Sequence, residues 1–483
     1  MRPSTEVAQV EAHDAHDAHT DTIVAIATPP GVGAVGIVRL SGPQAFAIGR
    51  ALFRPARRIP ESVYPPSHLL TYGHIIDPNS GEIVDEVLIA FLRAPRTYTR
   101  EDMVEINAHG GPLILRRIVE LALAAGARAA QPGELTLRAF LNGRIDLTQA
   151  EGVMALINAG SDAGRRLALR QMQGDLSARV QAARTAALGA LTRIEASIDF
   201  PEEEVPPPDP AELGDLMAQA RDEIAGLLAG AESGRILREG LRVAIVGRPN
   251  VGKSSLLNAL LGVERAIVTP IAGTTRDTVE EAAQINGVAL HLVDTAGLTA
   301  TDDPVERLGV ERSRTAAREA DLLLLTVDGS QPLTELDGQV ATDLHALLGE
   351  EGAPVILVMN KADLPRAINE EEAQALWPGA PVVHTSALER AGVAALEEEI
   401  VRMALGGAAQ AADALVSAAR HRDALRRADE QLAAAQATLA NTLPLDFVSV
   451  DLRAALEALG EITGESATAD LLDRIFAEFC IGK

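Results

Sequence analysis

The residues with the clearest chemical content form four short stretches in chain order. The first, G-R-P-N-V-G-K-S from Gly247 to Ser254, follows the apolar run LRVAIV and precedes SLLNAL, which makes it a strand-loop-helix connection. Glycine there lets backbone N–H groups close around phosphates. The Lys253 ammonium meets the β- and γ-phosphates, and the Ser254 hydroxyl suits Mg²⁺. Asn250, Val251, Gly252 and Ser255 belong to the same loop and helix start. The second stretch, Asp294, Thr295, Ala296 and Gly297, follows LHLV and sets a carboxylate at a strand end facing the metal. The third runs from Asn360 to Asp363 as N-K-A-D after PVILVM; Asp363 suits two donors on the guanine edge, and the Lys361 stem lies across the ring. The fourth, Ser386, Ala387 and Leu388, offers a backbone N–H to the guanine carbonyl. Adenine presents the reverse donor pattern, so GTP is the expected ligand.

Composition bounds what carries these stretches. The 483 residues exceed a single core, and about three domains are expected. No run reaches the ~18 apolar residues of a membrane span, no apolar signal core opens the sequence, and the lone cysteine, Cys480, fits a reducing compartment. The chain reads as cytoplasmic, with no membrane partner. A net charge of −25 argues against a broad nucleic-acid surface, although residues 21–145 hold 13 Arg against 11 acidic residues and are the best candidate to face RNA. Of 43 cationic residues only Lys253, Lys361 and Lys483 are lysine. Each of the three is expected where a compact ammonium or a straight stem is needed.

The elements that position the motifs fall into a simple order. Residues 1–20, with the polar repeat EAHDAHDAHTD, read as a disordered tail whose His and Asp residues leave metal binding as the less favoured alternative. Residues 21–145 alternate β-branched runs with Pro and Gly and contain one long helical stretch, an α+β domain. Residues 146–240 are helical, interrupted by DFPEEEVPPPDP. Residues 241–405 form a P-loop α/β domain, and helical sequence returns over 406–483. The α/β unit is therefore inserted into a discontinuous all-α domain.

Taken together, AIVTPIAGTTRD, DTAG, TIVAIATPPGVGAVGIVRLSG, QPGELTLRAFLNGRIDL and the final FCIGK closely resemble the MnmE (TrmE) family of tRNA modification GTPases, in order from about Asp21 to Lys483. The resemblance implies a Ras-like GTPase domain and further site residues. A loop over the nucleotide corresponds to Thr269, Pro270, Ile271, Ala272, Gly273, Thr274 and Thr275. Potassium is the charge-neutralising ion of the family, and Asn250, Thr269, Ile271 and Thr274 match its ligands; Thr275 matches the threonine that helps Ser254 hold Mg²⁺. Leu298 stands where Ras-like proteins carry a water-orienting Gln, and Glu306 matches the family's water-positioning glutamate, beside Lys253 as the catalytic cation. By itself Glu306 reads as a solvated helix carboxylate.

The first domain of the family uses 5-formyl-tetrahydrofolate or a related tetrahydrofolate as carbon donor, and Arg39, Glu105, Arg144 and Lys483 match its folate-binding positions. The last helix is expected to run back to this domain, that of the partner subunit, with Cys480 enclosed beside Lys483; the chemical role of Cys480 stays open. The resemblance further implies a homodimer, an FAD-dependent MnmG-like partner in a heterotetramer, tRNA as substrate, and modification of the wobble uridine. A ribosome-assembly GTPase is the alternative, and it leaves the folate-like domain unexplained.

Overall fold

The computed structural model describes residues 21–57, 64–199, 208–262, 281–294, 314–349, 352–406 and 414–482. The chain divides into two compact units, one made of residues up to Glu151 together with those from Ser466 on, the other of Gly152–Glu465. The C-terminal segment thus groups with the N-terminal residues, not with the helices that precede it, where the sequence reading had 406–483 as one helical stretch.

The first unit is built on a seven-stranded sheet of order β3-β4-β5-β6-β2-β1-β7. Its strands are β1 (Ile23–Ile26), β2 (Gly33–Ser41), β3 (Phe53–Pro55), β4 (Leu70–Ile76), β5 (Ile83–Leu92), β6 (Met103–Gly110) and β7 (Arg128–Ala129). Period-two alternation puts Val38, Leu40, Ile75, Val87, Ile89, Val104 and Ile106 in the core, where α1 (Ala45–Leu52) and α2 (Pro112–Ala124) cover them. By register the opposite face carries Val35, Arg39, Tyr72, Leu88, Glu105, Asn107 and His109. Helix α3 (Glu134–Leu141) follows, and α4 (Leu147–Ile157) leads into the second unit.

A buried ion cluster fixes α3. Arg138, 1% exposed, donates to Asp21, Glu101 and Glu134, and Arg128 bridges Asp21 and Glu134. Burial raises the carboxyl pKa of Asp21 and of Glu134, yet the guanidiniums bring both below the ordinary carboxylate value.

In the second unit, α6 (Asp175–Asp199), α7 (Pro210–Ala229), α13 (Ala419–Ala440) and α14 (Leu445–Thr463) pack around one core of Ala, Leu, Ile, Val and Met side chains. Two shorter helices, α5 (Asp162–Gln173) and α8 (Ala231–Glu239), pack Leu167, Ile236 and Leu237 against the α/β part. That part has a six-stranded sheet of order β13-β12-β11-β8-β10-β9. The strands β8 (Leu241–Val246), β11 (Leu322–Asp328) and β12 (Val355–Asn360) are parallel and, apart from the exposed Arg242 near the start of β8, buried, which is why they read as apolar runs. The sheet is completed by β9 (Glu281–Ile285), β10 (Val288–Asp294) and β13 (Val382–His384), with α9 (Lys253–Leu261), α10 (Glu335–Leu348), α11 (Glu370–Gln374) and α12 (Val393–Ala404) as its helices. Chain order reverses at β8, between β11 and β10; this switch point is where α/β sheets bind ligands, at the carboxyl ends of the strands.

Candidate nucleotide site and its first-domain counterpart

The phosphate loop leaves the carboxyl end of β8 and turns into α9 through Asn250 (φ 68°) and Gly252 (φ 97°), both left-handed. Only glycine fits at 252, because a Cβ there would collide with the Asn360 amide nitrogen. Gly252 also caps α9 without any side chain, which leaves the helix start to a phosphate ligand's oxygens. The Lys253 ammonium, 9% exposed, donates to the carbonyls of Gly247 (2.9 Å) and Arg248 (3.1 Å) and is folded over the loop. Ser254 and Ser255 occupy the first turn of α9.

The base-recognition loops leave the ends of β12 and β13. Asn360, 2% exposed, donates to Val251 O at 2.9 Å and accepts from Thr385 Oγ1 (3.3 Å) and Ala387 N (3.2 Å). It therefore ties the phosphate loop to both base loops. The Ser386 hydroxyl donates to Asp363 Oδ1 at 2.6 Å, orienting a carboxylate that is itself exposed. Leu388 is 84% exposed beside it. Lys361 adopts φ 65° and sends its ammonium to Asp328 Oδ2 at 2.7 Å. Burial pushes the Asp328 carboxyl up, but the Lys361 ammonium and two Ser330 donors outweigh it and hold the pKa below the ordinary value.

The motif residues of β8, β12 and β13 thus converge, and the donor set suits a nucleotide and Mg²⁺. Asp294 ends β10, one strand over. Residues Thr269 to Thr275, Thr295 to Gly297, Leu298 and Glu306, as well as the tail 1–20, lie outside the described residues. Sequence reasoning missed Asp328 and the pairing of Arg248 with Asp337 (3.0 and 3.1 Å). A signal was present for the first: Asp328 ends the run LLLLTV just as Asp294 ends LHLV.

In the first unit, Arg39 and Glu105 are cross-strand partners, with Arg39 Nε donating to Glu105 Oε1 at 2.7 Å; both are about one quarter exposed. Arg144 is exposed, its guanidinium donating to Tyr98 O at 2.8 Å and lying over the Tyr98 ring at 4.8 Å. Among the described residues no bond joins Arg144 to the Arg39–Glu105 pair. Both are cations and carboxylates of the kind a folate's glutamate tail and pterin edge would need.

The C-terminal segment docks on this unit. Helix α15 (Ala469–Ala477) buries Phe476, and the turn after it buries Phe479; their rings lie 5.3 Å apart, with Phe140 of α3 at 6.3 Å from Phe476. The Gly133 N–H donates to Cys480 O at 3.5 Å, and a Cβ at Gly133 would strike Phe476 O. At Gly482 (φ 92°) a Cβ would strike Ile26 O. The contact is made within the one chain, whereas the sequence reading assigned it to a partner subunit. Cys480 is exposed, contrary to the expectation of an enclosed thiol: the two phenylalanines fill the contact, and Cys480 contributes its carbonyl. Lys483 lies outside the described residues.

Comparison with known proteins agrees with this architecture. A family model described as the MnmE helical domain matches residues 147–480, and one described as the GTP-binding protein TrmE N-terminus matches residues 22–144. The tRNA modification GTPase MnmE of Geobacillus kaustophilus is 49% identical over 466 residues, covering 96% of this chain and 99% of its own. That of Chloroflexus aurantiacus is 51% identical over 468 residues, covering 96% and 100%. Among solved structures, the G domain of the T. maritima FeoB iron transporter is 30% identical and covers 34% of this chain and 98% of its own, with a TM-score of 0.27, too low to bear on the fold. The full-length identity to these relatives, with the phosphate and base loops in place, shows that the chain belongs to the MnmE (TrmE) family of tRNA modification GTPases.

Proposed function

We propose that this GTPase is stimulated by K⁺, acts as a cytoplasmic homodimer, and joins an FAD-dependent MnmG-like partner in a heterotetramer. That assembly adds an aminomethyl or carboxymethylaminomethyl group at carbon 5 of the wobble uridine of certain tRNAs, with 5-formyl-tetrahydrofolate or a related tetrahydrofolate as carbon donor. The observation that carries this reading is the end-to-end identity with relatives named for tRNA modification, which takes in the folate-like first domain as well as the GTPase motifs.

Each residue then has a task. Lys253 stabilises charge on the transferring phosphoryl group, and Ser254 with Thr275 would hold Mg²⁺. Asn250, at the left-handed turn of the loop, would hold K⁺ with Thr269, Ile271 and Thr274; a monovalent cation there supplies the charge that an arginine finger gives elsewhere. Leu298 cannot orient water, so Glu306 takes that part. Asp363, oriented by Ser386, selects guanine. Arg39, Glu105, Arg144 and Lys483 bind the folate, with Cys480 nearby on the tail. GTP-dependent pairing and separation of the two GTPase domains, driven through the cycle by hydrolysis, would reposition the helices.

Mass analysis of tRNA nucleosides from cells lacking the protein tests the reading. Loss of the carbon-5 modification from wobble uridines is expected. Intact nucleosides accompanied by unassembled ribosomal subunits would favour the ribosome-assembly alternative instead.

A further inference from the structure

We propose that Asp328, at the carboxyl end of β11, is the positioning residue for Lys361, and that the connection from Asp328 to Asp337 clamps the base loop to the phosphate loop. Both acids are buried, 3% and 4% exposed, and each holds a cation from a different nucleotide loop: Lys361 on Asp328, Arg248 on Asp337. The ends of the connection are themselves fixed. Gly329 N donates to Asn360 O and Ala367 N to Gly329 O, both at 2.9 Å, while Thr334 donates to Asp337 Oδ2 through its amide (2.9 Å) and hydroxyl (2.7 Å).

Each acid has one oxygen engaged by its own loop, Asp337 Oδ2 by Thr334 and Asp328 Oδ1 by Ser330, and each also holds a cation. Asp337 turns both oxygens to Arg248 Nε, at 3.0 and 3.1 Å, and Arg248 Nη2 reaches Gln331 Oε1 at 3.3 Å. Asp328 has one oxygen occupied by Ser330, through its amide at 3.0 Å and its hydroxyl at 2.6 Å, and offers only Oδ2. A single buried oxygen suits a compact ammonium better than a fork. The one oxygen that Asp328 turns to the base loop, Oδ2, is met by the Lys361 ammonium at 2.7 Å. With its root at φ 65° and its tip on Asp328, the Lys361 stem has little freedom, and it is the stem that must lie flat on the base.

The inference rests on the reading that Lys361 and Asp363 recognise guanine, so the experiment includes a test of that reading. Asp363→Asn is expected to shift preference from GDP towards xanthosine diphosphate, whose 2-oxo group accepts from the new amide; no shift overturns the guanine reading itself. Asp328→Asn is expected to weaken GDP binding about tenfold and to raise the KM for GTP by a similar factor, with kcat changing by less than about twofold. Adding Asp328→Asn to Lys361→Ala should cause no further loss, because both remove one interaction. If Asp328→Asn does not fold, Lys361→Arg serves, and is expected to weaken GDP binding despite its retained charge. A xanthine shift at Asp363→Asn together with unchanged GDP affinity in Asp328→Asn or Lys361→Arg, or additive losses in the double variant, would overturn the positioning role alone.

Discussion

At the nucleotide site the motif residues hang on strand ends and the loops that follow, whereas the first-domain residues that match the family's folate positions are split between a sheet face, with Arg39 and Glu105, and the segment after α3, with Arg144. The first arrangement is cross-linked by its own residues: Asn360 bonds Val251, Ser386 bonds Asp363, and Lys253 is folded onto its own loop. The second is satisfied by itself. Arg39 and Glu105 pair with each other, and Arg144 rests on Tyr98. The difference teaches that the nucleotide loops are held to one another by their own bonds, while Arg144 and the Arg39–Glu105 pair are each held by separate partners.

The largest effect is expected where preorganised charge is removed. Lys253→Ala should lower GTP turnover by on the order of 10²–10³ fold, and leave formyl-folate affinity unchanged in calorimetry. Glu306→Ala should lose most turnover with near-normal GTP affinity, which a stopped-time hydrolysis assay beside equilibrium binding would show. If Glu306→Ala hydrolyses normally, that residue is a solvated carboxylate after all. Replacing K⁺ by Na⁺ at equal ionic strength should also cut the rate sharply; equal rates in the two salts would sink the potassium mechanism.

Smaller effects are expected in the first unit. Gly482→Ala puts a Cβ against Ile26 O at φ 92°, and should release the tail at a cost of about 1 kcal/mol or more, read as a lower thermal midpoint. Smallest of all is an acid effect on the Asp21, Glu134 and Arg138 cluster. The folded carboxyl pKa values lie below the ordinary range, so the cluster's contribution is whole above that range and fades as pH falls through the lowered values. Arg138→Met should flatten the acid limb of a stability-against-pH curve.

Legibility followed chemistry that is contiguous in the chain. Gly247 to Ser254 and Asn360 to Asp363 carry their function in adjacent residues, and apolar runs before them announced the parallel strands. The bond between Arg39 and Glu105 joins residues 66 positions apart and is set by strand register, which composition does not reveal. Asp328 was missed for the same reason, since its partner lies 33 positions on. Cys480 misled because cysteine as a type is so often buried, while here the neighbouring phenylalanines take the interior.

Under the proposed function, two differently built sites would work in one chain, with the tail serving only the first-domain one. Calorimetry with 5-formyl-tetrahydrofolate, run beside a GTPase assay on protein lacking residues 480–483 and on Lys483→Ala, tests it most directly. Formyl-folate affinity should fall about tenfold or more in both, for want of a charge-assisted contact, while GTP turnover stays within about twofold. Unchanged folate affinity, or GTP hydrolysis lost together with it, would contradict the claim.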